Sequence, residues 1–156
     1  MSKKILITGA NGFLGSAITK LAIKKGYKVS VLIRKNSNLD NLIKFQSKIN
    51  IFYGDLRNKS DLYEPVKQSD IIFHVAADYR LWSRKPSEIY DTNVYGTENL
   101  ALSVLKFKKK LVYTSSVAAL GFDKDEGNET TRVKFSQMLG DYKKSKYLAE
   151  KIIEKL

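Results

Sequence analysis

The stretch Thr8-Gly9-Ala10-Asn11-Gly12-Phe13-Leu14-Gly15 decides the fold of this 156-residue chain. It follows a β-branched run, Lys4–Thr8, that predicts a buried strand, and it opens a segment whose apolar residues recur at helical spacing. Glycines three residues apart between a first strand and a first helix are typical of a pyrophosphate-binding turn. Gly9 permits the tight turn, Gly12 lets the backbone approach the phosphates, and Gly15 lets the helix pack against the strand.

The start of this first helix is the second part of the predicted phosphate site. A helix N-terminus offers unpaired N–H groups and a partial positive charge to an anion. We therefore predict that Phe13 and Leu14 bind a cofactor together with the three glycines. A glycine turn without any ligand is the alternative, and the strand–turn–helix context disfavours it.

Strand and helix patterns alternate along the whole chain. Strands are predicted at 4–8, 28–33, 50–53, 70–75 and 110–114, and helices at 12–25, 60–68, 87–106 and 134–156, with a short helix ending near 42 and a polar loop at 121–131. This alternation predicts right-handed βαβ units, and hence an α/β fold with a Rossmann-type doubly wound parallel sheet and helices on both faces. We expect 1–156 to form a single dinucleotide-binding domain.

The composition excludes several classes of protein. The chain has no cysteine and one histidine, which excludes disulfide scaffolds and thiol nucleophiles and argues against a metal site. No apolar run reaches the roughly 20 residues of a membrane helix, and no signal-peptide pattern begins the chain, so we expect a soluble cytoplasmic protein. The net charge of +12 raises nucleic acid as a partner. The lysines are scattered and no nucleic-acid motif appears, so a lysine-rich solvated surface is the favoured interpretation.

The end of the second predicted strand indicates which dinucleotide is bound. An NAD site usually has an acidic residue there for the ribose hydroxyls, whereas an arginine suits a 2′-phosphate. Arg34 follows the strand, and no acidic residue precedes Asp40. The sequence therefore predicts NADP, with NAD as the less favoured cofactor.

Residues after the third and fourth strands extend the predicted cofactor site. Asp55 is a candidate for the adenine edge, with Leu56 beside it. Ala76 and Ala77 are small enough for a cofactor to lie along the strand ends. His74 lies within an apolar strand, and we expect it to be a packed core histidine rather than a catalyst.

A tyrosine and a lysine on the last predicted helix form a candidate catalytic pair. Tyr142 and Lys146 are four residues apart and so share one helix face. A nearby ammonium lowers the pKa of a phenol, which would let Tyr142 exchange a proton with a carbonyl or alcohol oxygen. Ser115 and Ser116 end the fifth strand, where a hydroxyl can orient the same oxygen.

These motifs together resemble the extended branch of the short-chain dehydrogenase/reductase superfamily, the NAD-dependent epimerases and dehydratases. The matching pieces, in chain order, are 8–15, Gly54-Asp-Leu56, His74-Val-Ala-Ala77, Asn93-Val-Tyr-Gly-Thr97, Tyr113-Thr-Ser-Ser116 and Tyr142-x-x-x-Lys146. More narrowly, residues 74–82 and 112–119 resemble bacterial dihydroflavonol-4-reductase-like proteins, a group that includes hopanoid-associated sugar epimerases.

The resemblance implies a catalytic triad of Ser116, Tyr142 and Lys146. Tyr142 would be the acid/base, and Lys146 would lower its pKa and bind the nicotinamide ribose. Asn93 matches a family asparagine at the cofactor site whose role is partly structural. The cofactor would exchange a hydride with the substrate carbon. The residues just beyond the cofactor strand could contact a small-molecule substrate or form an ordered surface loop: Asp78, Tyr79, Arg80 and Trp82.

The length of this chain differs from that of the family it resembles. Members of the extended branch are longer, so the resemblance implies a chain truncated before the last strands and the C-terminal substrate domain. Either the chain is a fragment or a truncated gene product, or a second chain supplies the rest. The family often dimerises through two long helices, which predicts a homodimer through 87–106 and 134–156.

Three functions of different class remain open at this point. The first is an NADP-dependent oxidoreductase of the dihydroflavonol-4-reductase-like type, or a nucleotide-sugar epimerase/dehydratase, represented by its cofactor-binding half. The second is a catalytically incomplete NADP-binding module. The third is a basic interaction protein that reuses the fold.

Overall fold

A computed structural model describes residues 2–120, 127–131 and 133–156 of the chain. Within these residues a parallel sheet of five strands has the order β3-β2-β1-β4-β5. The strands are β1 (Lys4–Thr8), β2 (Lys28–Ile33), β3 (Ile49–Tyr53), β4 (Ile71–His74) and β5 (Lys110–Tyr113). The α-helices are α1 (Phe13–Lys24), α2 (Ser60–Lys67), α3 (Ser87–Tyr90), α4 (Gly96–Lys106) and α5 (Gly140–Ile153). The predicted Rossmann-type α/β fold is confirmed.

Both faces of the central strand are buried, which explains its continuous apolar sequence. Ile5 and Ile7 of β1 share one hydrophobic core with Ala22 of α1. Leu6 lies on the opposite face and shares a second core with Leu100 of α4. None of the five is more than 6% exposed. A parallel sheet covered by helices on both faces gives this pattern, in which a strand shows no polar alternation.

The strand order places a crevice between β1 and β4. From β1 the chain adds β2 and then β3 on one side, and then crosses to add β4 and β5 on the other side. The loops that leave the adjacent carboxyl ends of β1 and β4 therefore diverge. Open α/β sheets bind their ligands at this type of switch point.

The helix predicted over 87–106 is confirmed in extent, but it contains a turn that the periodicity did not reveal. Residues Asp91–Tyr95 between α3 and α4 form a π-helical segment. A π turn carries one more residue per hydrogen-bonded ring than an α turn, and such turns occur frequently at functional sites. The extra residue changes which side chains face inward, and Asn93, 2% exposed, is one of them.

The predicted position of the short helix ending near Leu42 was wrong. The structure has a 3₁₀ segment over Asp40–Lys48 instead. The side-chain oxygen of Asn38 accepts the backbone N–H of Asp40 at 2.7 Å. This local turn competes with helical hydrogen bonding and delays the helix to the residues that follow.

The last helix begins six residues later than the predicted start at 134, so that prediction was wrong at its N-terminal end. Residues Phe135–Gln137 form a separate 3₁₀ turn, and α5 begins at Gly140. Gly140 has a φ of +76°, a left-handed conformation that a helix cannot pass through. Of the predicted loop at 121–131, residues 121–126 lie outside the described part of the chain.

The two long helical segments proposed for dimer contacts lie on the same face of the sheet. Helices α4 and α5 pack against each other. Leu102 and Leu105 of α4 remain 41% and 47% exposed. The homodimer through these helices stays a prediction. No helix in the described part of the chain is long and apolar enough to span a membrane.

His74 joins three elements at the carboxyl end of the sheet. Its Nδ1 lies 2.8 Å from the hydroxyl of Thr8, and its Nε2 lies 2.9 Å from the hydroxyl of Thr97. The Thr8 oxygen already accepts the backbone N–H groups of Val75 and Ala76. Thr8 must therefore donate its own proton to Nδ1, which leaves the Nε2–H to donate to Thr97. This bonding fixes a neutral imidazole.

We predict that His74 stays uncharged throughout the neutral and mildly acidic range. Burial, with a smaller repulsion from Lys146, lowers the pKa of His74 to about 3. The pKa in the unfolded chain is about 6.5. The unfolded chain therefore binds the proton first, and stability present above about pH 6.5 falls as the pH drops toward 3.

Because His74 is the single histidine, NMR of its imidazole follows it without assignment. The signals should not shift between about pH 8 and about pH 5, and the ring nitrogens should report the Nε2–H tautomer. A His74→Gln variant should lose part of the acid dependence of unfolding. A titration midpoint near the ordinary histidine value would contradict the assigned bonding.

Candidate cofactor site and catalytic cluster

The glycine turn brings the end of β1 against the end of β4. Gly9 has a φ of +69°, which a glycine adopts without strain. A Cβ at this position would lie 2.7 Å from the Cα and N atoms of Ala76. The two strand ends therefore approach each other closely, and this position requires glycine both for its backbone angle and for the lack of space.

Gly15 closes the same turn from the helix side. A Cβ on Gly15 would lie 2.0 Å from the carbonyl oxygen of Gly9. Gly15 was predicted to let the helix pack against the strand, but it packs against the turn itself. Gly12, by contrast, has a φ of −80°, and its Cβ would meet only the Gly9 oxygen at 3.3 Å. An alanine at Gly12 would therefore be a tight fit, but far less crowded than an alanine at Gly15.

The first turn of α1 presents unpaired amides to this crevice. No acidic residue lies in the first turn of the helix. Within the described part of the chain, no side chain caps the helix, and the N–H groups of Phe13, Leu14 and Gly15 donate no hydrogen bond. The Phe13 side chain is 94% exposed. Uncapped amides beside a glycine cradle fit a dinucleotide pyrophosphate, which the helix dipole also attracts.

Asn11 fixes the glycine turn to the segment after β2. It was not among the predicted site residues. Its side-chain amide donates to the carbonyl of Asn38 at 3.2 Å, and its own carbonyl accepts from Asn41 at 2.8 Å. These bonds hold the turn in place before any ligand arrives. A run of asparagines in predicted turns was the available signal, but it does not identify bonding partners.

Arg34 lies where the sequence analysis placed it, immediately after β2. Its side chain is exposed, and its positive charge contributes to lowering the pKa values of Asp55 and Asp78. The carboxyl ends of β2, β3 and β4 therefore share one electrostatic environment. No acidic residue lies between Gly9 and Arg34.

Asp55 is engaged within its own turn. Its two carboxylate oxygens accept Arg57 Nε at 3.0 Å and Arg57 Nη2 at 2.6 Å. These hydrogen bonds hold the pKa of Asp55 below its usual value. Leu56 beside it is buried and packs against Gly96, where a Cβ would lie 2.9 Å from the Leu56 Cβ. Contact of Asp55 with adenine stays a prediction.

Asn93 connects the loop after β4 to the last helix. Its side-chain oxygen accepts the N–H of Asp78 at 2.7 Å, and its amide donates to the carbonyl of Asp78 at 2.8 Å and to the Ser145 hydroxyl at 2.9 Å. All polar atoms of this buried amide are therefore used internally. Its contribution to the site is to hold Ala76, Ala77 and Asp78 in position beside α5.

Lys146 is buried at the carboxyl end of β5. The side chain is 3% exposed, and Nζ donates to the Tyr113 hydroxyl and to the Thr114 carbonyl, each at 2.8 Å. Burial lowers the pKa of Lys146 to about 8, with Glu150 acting in the opposite direction. Sequence analysis identified Lys146 and Tyr142 but not Tyr113, because a strand pattern does not show which hydroxyl meets a distant helix.

Two tyrosines are near this ammonium, and they differ in environment. Burial raises the pKa of Tyr113 well above its usual value, and Glu150 and Tyr142 add to this effect. Tyr113 is therefore held neutral and does not serve as a base. Tyr142 is half-buried on α5, one turn before Lys146.

The two serines after β5 have different partners. Ser115 donates its hydroxyl hydrogen bond to Glu150 of α5. Ser116 caps the 3₁₀ turn Val117–Ala119 by accepting the N–H of Ala118 at 3.1 Å. Among the described residues no group accepts the Ser116 proton, so Ser116 retains a donor for an incoming oxygen. This geometry favours Ser116 over Ser115 as the hydroxyl that meets a ligand.

Comparison with known proteins identifies the family. The model of the NAD dependent epimerase/dehydratase family matches residues 5–156. The chain belongs to this family. The match covers the glycine turn, the π turn and Lys146 with its partners Tyr113 and Thr114. The family assignment therefore covers both the fold and the candidate site.

Individual relatives carry reductase names. The chain is 37% identical over 96% of its length to a dihydroflavonol 4-reductase-like protein of Synechocystis sp., and covers 44% of that protein. It is 36% identical over 94% of its length to a 2-alkyl-3-oxoalkanoate reductase of Shewanella oneidensis, and covers 37% of that protein. The crystal structure of gox2253 superposes with a TM-score of 0.90 at 40% identity, over 99% of this chain and 47% of the other. The chain thus spans less than half of each of these proteins.

We predict that Gly15 and Gly12 respond differently to the same substitution. Gly15→Ala should destabilise the chain by about 1–3 kcal/mol, because its methyl group overlaps the Gly9 carbonyl. Gly12→Ala is the matched control and should be destabilised much less, because its methyl group needs the Gly9 oxygen to move by only a few tenths of an ångström. Chemical denaturation followed by circular dichroism measures both. Equal stability of the two variants would mean that the turn relaxes and is not the tight cradle described.

Proposed function

We propose that this chain is the cofactor-binding half of an NADP-dependent oxidoreductase of the dihydroflavonol-4-reductase-like type. The observation that carries the proposal is the buried ammonium of Lys146, held at the same sheet edge as the glycine cradle and one helical turn from Tyr142. A buried, bonded lysine beside an accessible tyrosine is the arrangement that proton transfer to a carbonyl oxygen requires.

The proposed roles divide the chemistry among three side chains. The bound nicotinamide supplies or accepts the hydride. Tyr142 gives a proton to the substrate oxygen in reduction and takes it back in oxidation. The positive charge of Lys146 favours the phenolate of Tyr142. Ser116 donates a hydrogen bond to the same oxygen and fixes its position.

The choice of NADP is supported by charge at the end of β2. Arg34 is exposed at the position where an acidic residue would bind ribose hydroxyls in an NAD site. Its guanidinium can pair with a 2′-phosphate through two parallel hydrogen bonds. Lys35 follows it and adds a second positive charge.

A nucleotide-sugar epimerase or dehydratase is the second candidate. The family description favours it, because the family is named for these activities. The names of the two relatives above favour a reductase. Both reactions begin at the same Tyr142, Lys146 and Ser116 cluster, and the substrate decides between them. A catalytically incomplete NADP-binding module remains the third candidate.

We predict that the chain binds NADPH more tightly than NADH. Calorimetric titration should show a difference of about tenfold or more, the usual contribution of a charge-assisted hydrogen bond. Arg34→Glu should abolish or reverse this preference. Lys67→Glu, the same charge change at an exposed site on the last turn of α2, should retain it.

Other outcomes of this titration separate the alternatives. Equal affinity of the wild type for both cofactors would overturn the NADP assignment. Absence of any cofactor binding, together with salt-dependent binding of random RNA, would instead support a basic interaction protein.

We also predict that the isolated chain turns over carbonyl substrates slowly or not at all. It spans less than half of its relatives, so most of a substrate pocket would come from outside these residues. NADPH consumption with simple ketones and aldehydes measures this. Strong turnover that disappears in Tyr142→Phe would contradict the need for a further substrate domain, while supporting the role given to Tyr142.

A further inference from the structure

Glu150 is a carboxylate that the proposed chemistry does not use. It lies on α5 one helical turn after Lys146, on the same helix face. It accepts a hydrogen bond from Ser115, which lies just after β5. The carboxylate is thus fixed between helix and sheet rather than directed to solvent. The carboxylate of Glu154, the residue immediately after α5, differs: it is exposed and pairs with Lys151 at 2.6 Å.

The ammonium of Lys146 has a defined set of neighbours. Two of its three N–H donors go to the Tyr113 hydroxyl and the Thr114 carbonyl, both on the β5 side. Its Nζ also lies 4.5 Å from the centre of the Tyr113 ring. All of these partners are neutral. The third donor is the one available to a ligand.

Within the described part of the chain, two titratable side chains beside Lys146, those of His74 and Tyr113, are neutral. Burial and repulsion from Lys146 lower the pKa of His74 of β4 to about 3, so its ring carries no charge in the working range. Tyr113 of β5 has a raised pKa and is also neutral. Tyr142 lies on α5 itself. Among the described residues, Glu150 is therefore the negative charge that opposes the effect of burial on the pKa of Lys146.

We propose that Glu150, fixed by Ser115 one helical turn from Lys146 and beside the Thr114 carbonyl that Lys146 contacts, is a positioning residue that keeps Lys146 charged. The proposal rests on the proposed function, which gives the charge of Lys146 its purpose. Without Glu150, the desolvated ammonium loses the negative charge that opposes the effect of burial, and its pKa falls further into the working range. A neutral amine would favour neither a phenolate at Tyr142 nor an anionic ligand. Ser115 thereby has a role distinct from that of Ser116.

The first test measures the charge of Lys146 in the cofactor-free chain. NMR of ¹³Cε-labelled lysine follows its titration, and the signal is assigned by its absence in Lys146→Arg. Glu150→Gln should lower the pKa of Lys146 by about one unit or more, from a wild-type value of about 8. Glu154→Gln, at the residue that follows the same helix, is the matched control, and it should leave this titration unchanged.

A second variant keeps the test valid if Glu150→Gln does not fold. Ser115→Ala leaves the carboxylate in place but removes its hydrogen bond. It should lower the pKa of Lys146 in the same direction by a smaller amount. Circular dichroism establishes that each variant is folded. A Lys146 titration that neither variant changes would overturn the proposal.

The pH dependence of NADPH binding then connects this charge to the cofactor. Lys146 is charged below its pKa, so wild-type affinity should be retained below about pH 8 and fall above it. In Glu150→Gln the fall should begin about one unit lower. Wild-type NADPH binding with identical pH profiles in both proteins would overturn the inference. Absence of NADPH binding at every pH would overturn the proposed function instead, while the titration shift would still report the effect of Glu150.

Discussion

The hydroxyl of Thr8 is the interaction on which the rest of the site depends. It accepts the N–H groups of Val75 and Ala76 and donates to His74, so one oxygen joins the ends of β1 and β4. These strands lie side by side in register, with Thr8 opposite His74. The crevice between their diverging loops exists because this contact holds the two ends together. Gly9 is adjacent to Thr8 and has no side chain, which allows the backbones to approach.

From that contact the site extends in two directions. Toward α1, the turn leads to uncapped amides that suit a diphosphate. Toward α4, His74 donates to Thr97 and connects the sheet to the helix that carries the π turn. Asn93 in that turn then reaches Ser145 of α5. The phosphate cradle and the Lys146 cluster are therefore parts of one hydrogen-bonded framework rather than two independent features.

The sequence was most informative where a local rule determines the structure. The glycine spacing at 9, 12 and 15 and the alternating strand and helix patterns correctly predicted the Rossmann-type sheet and the length of the 87–106 segment. It was least informative where a contact joins distant residues. Nothing in the pattern around Tyr113 indicates that its hydroxyl meets Lys146, 33 positions away. The late start of α5 was also missed, because a glycine such as Gly140 is compatible with either a helical or a left-handed angle.

The π turn has a consequence for how this helix can change. It holds one residue more than an α-helical path between the same ends would need. A substitution cannot remove that residue; only a deletion within Asp91–Tyr95 can. Such a deletion would restore regular α-helical hydrogen bonds, yet it would rotate one flank of the helix against the other by about 100°, the angle of one residue in 3.6 per turn. Asn93 would then no longer face both Asp78 and Ser145, so the segment can become a better helix only by losing its bonds to the site.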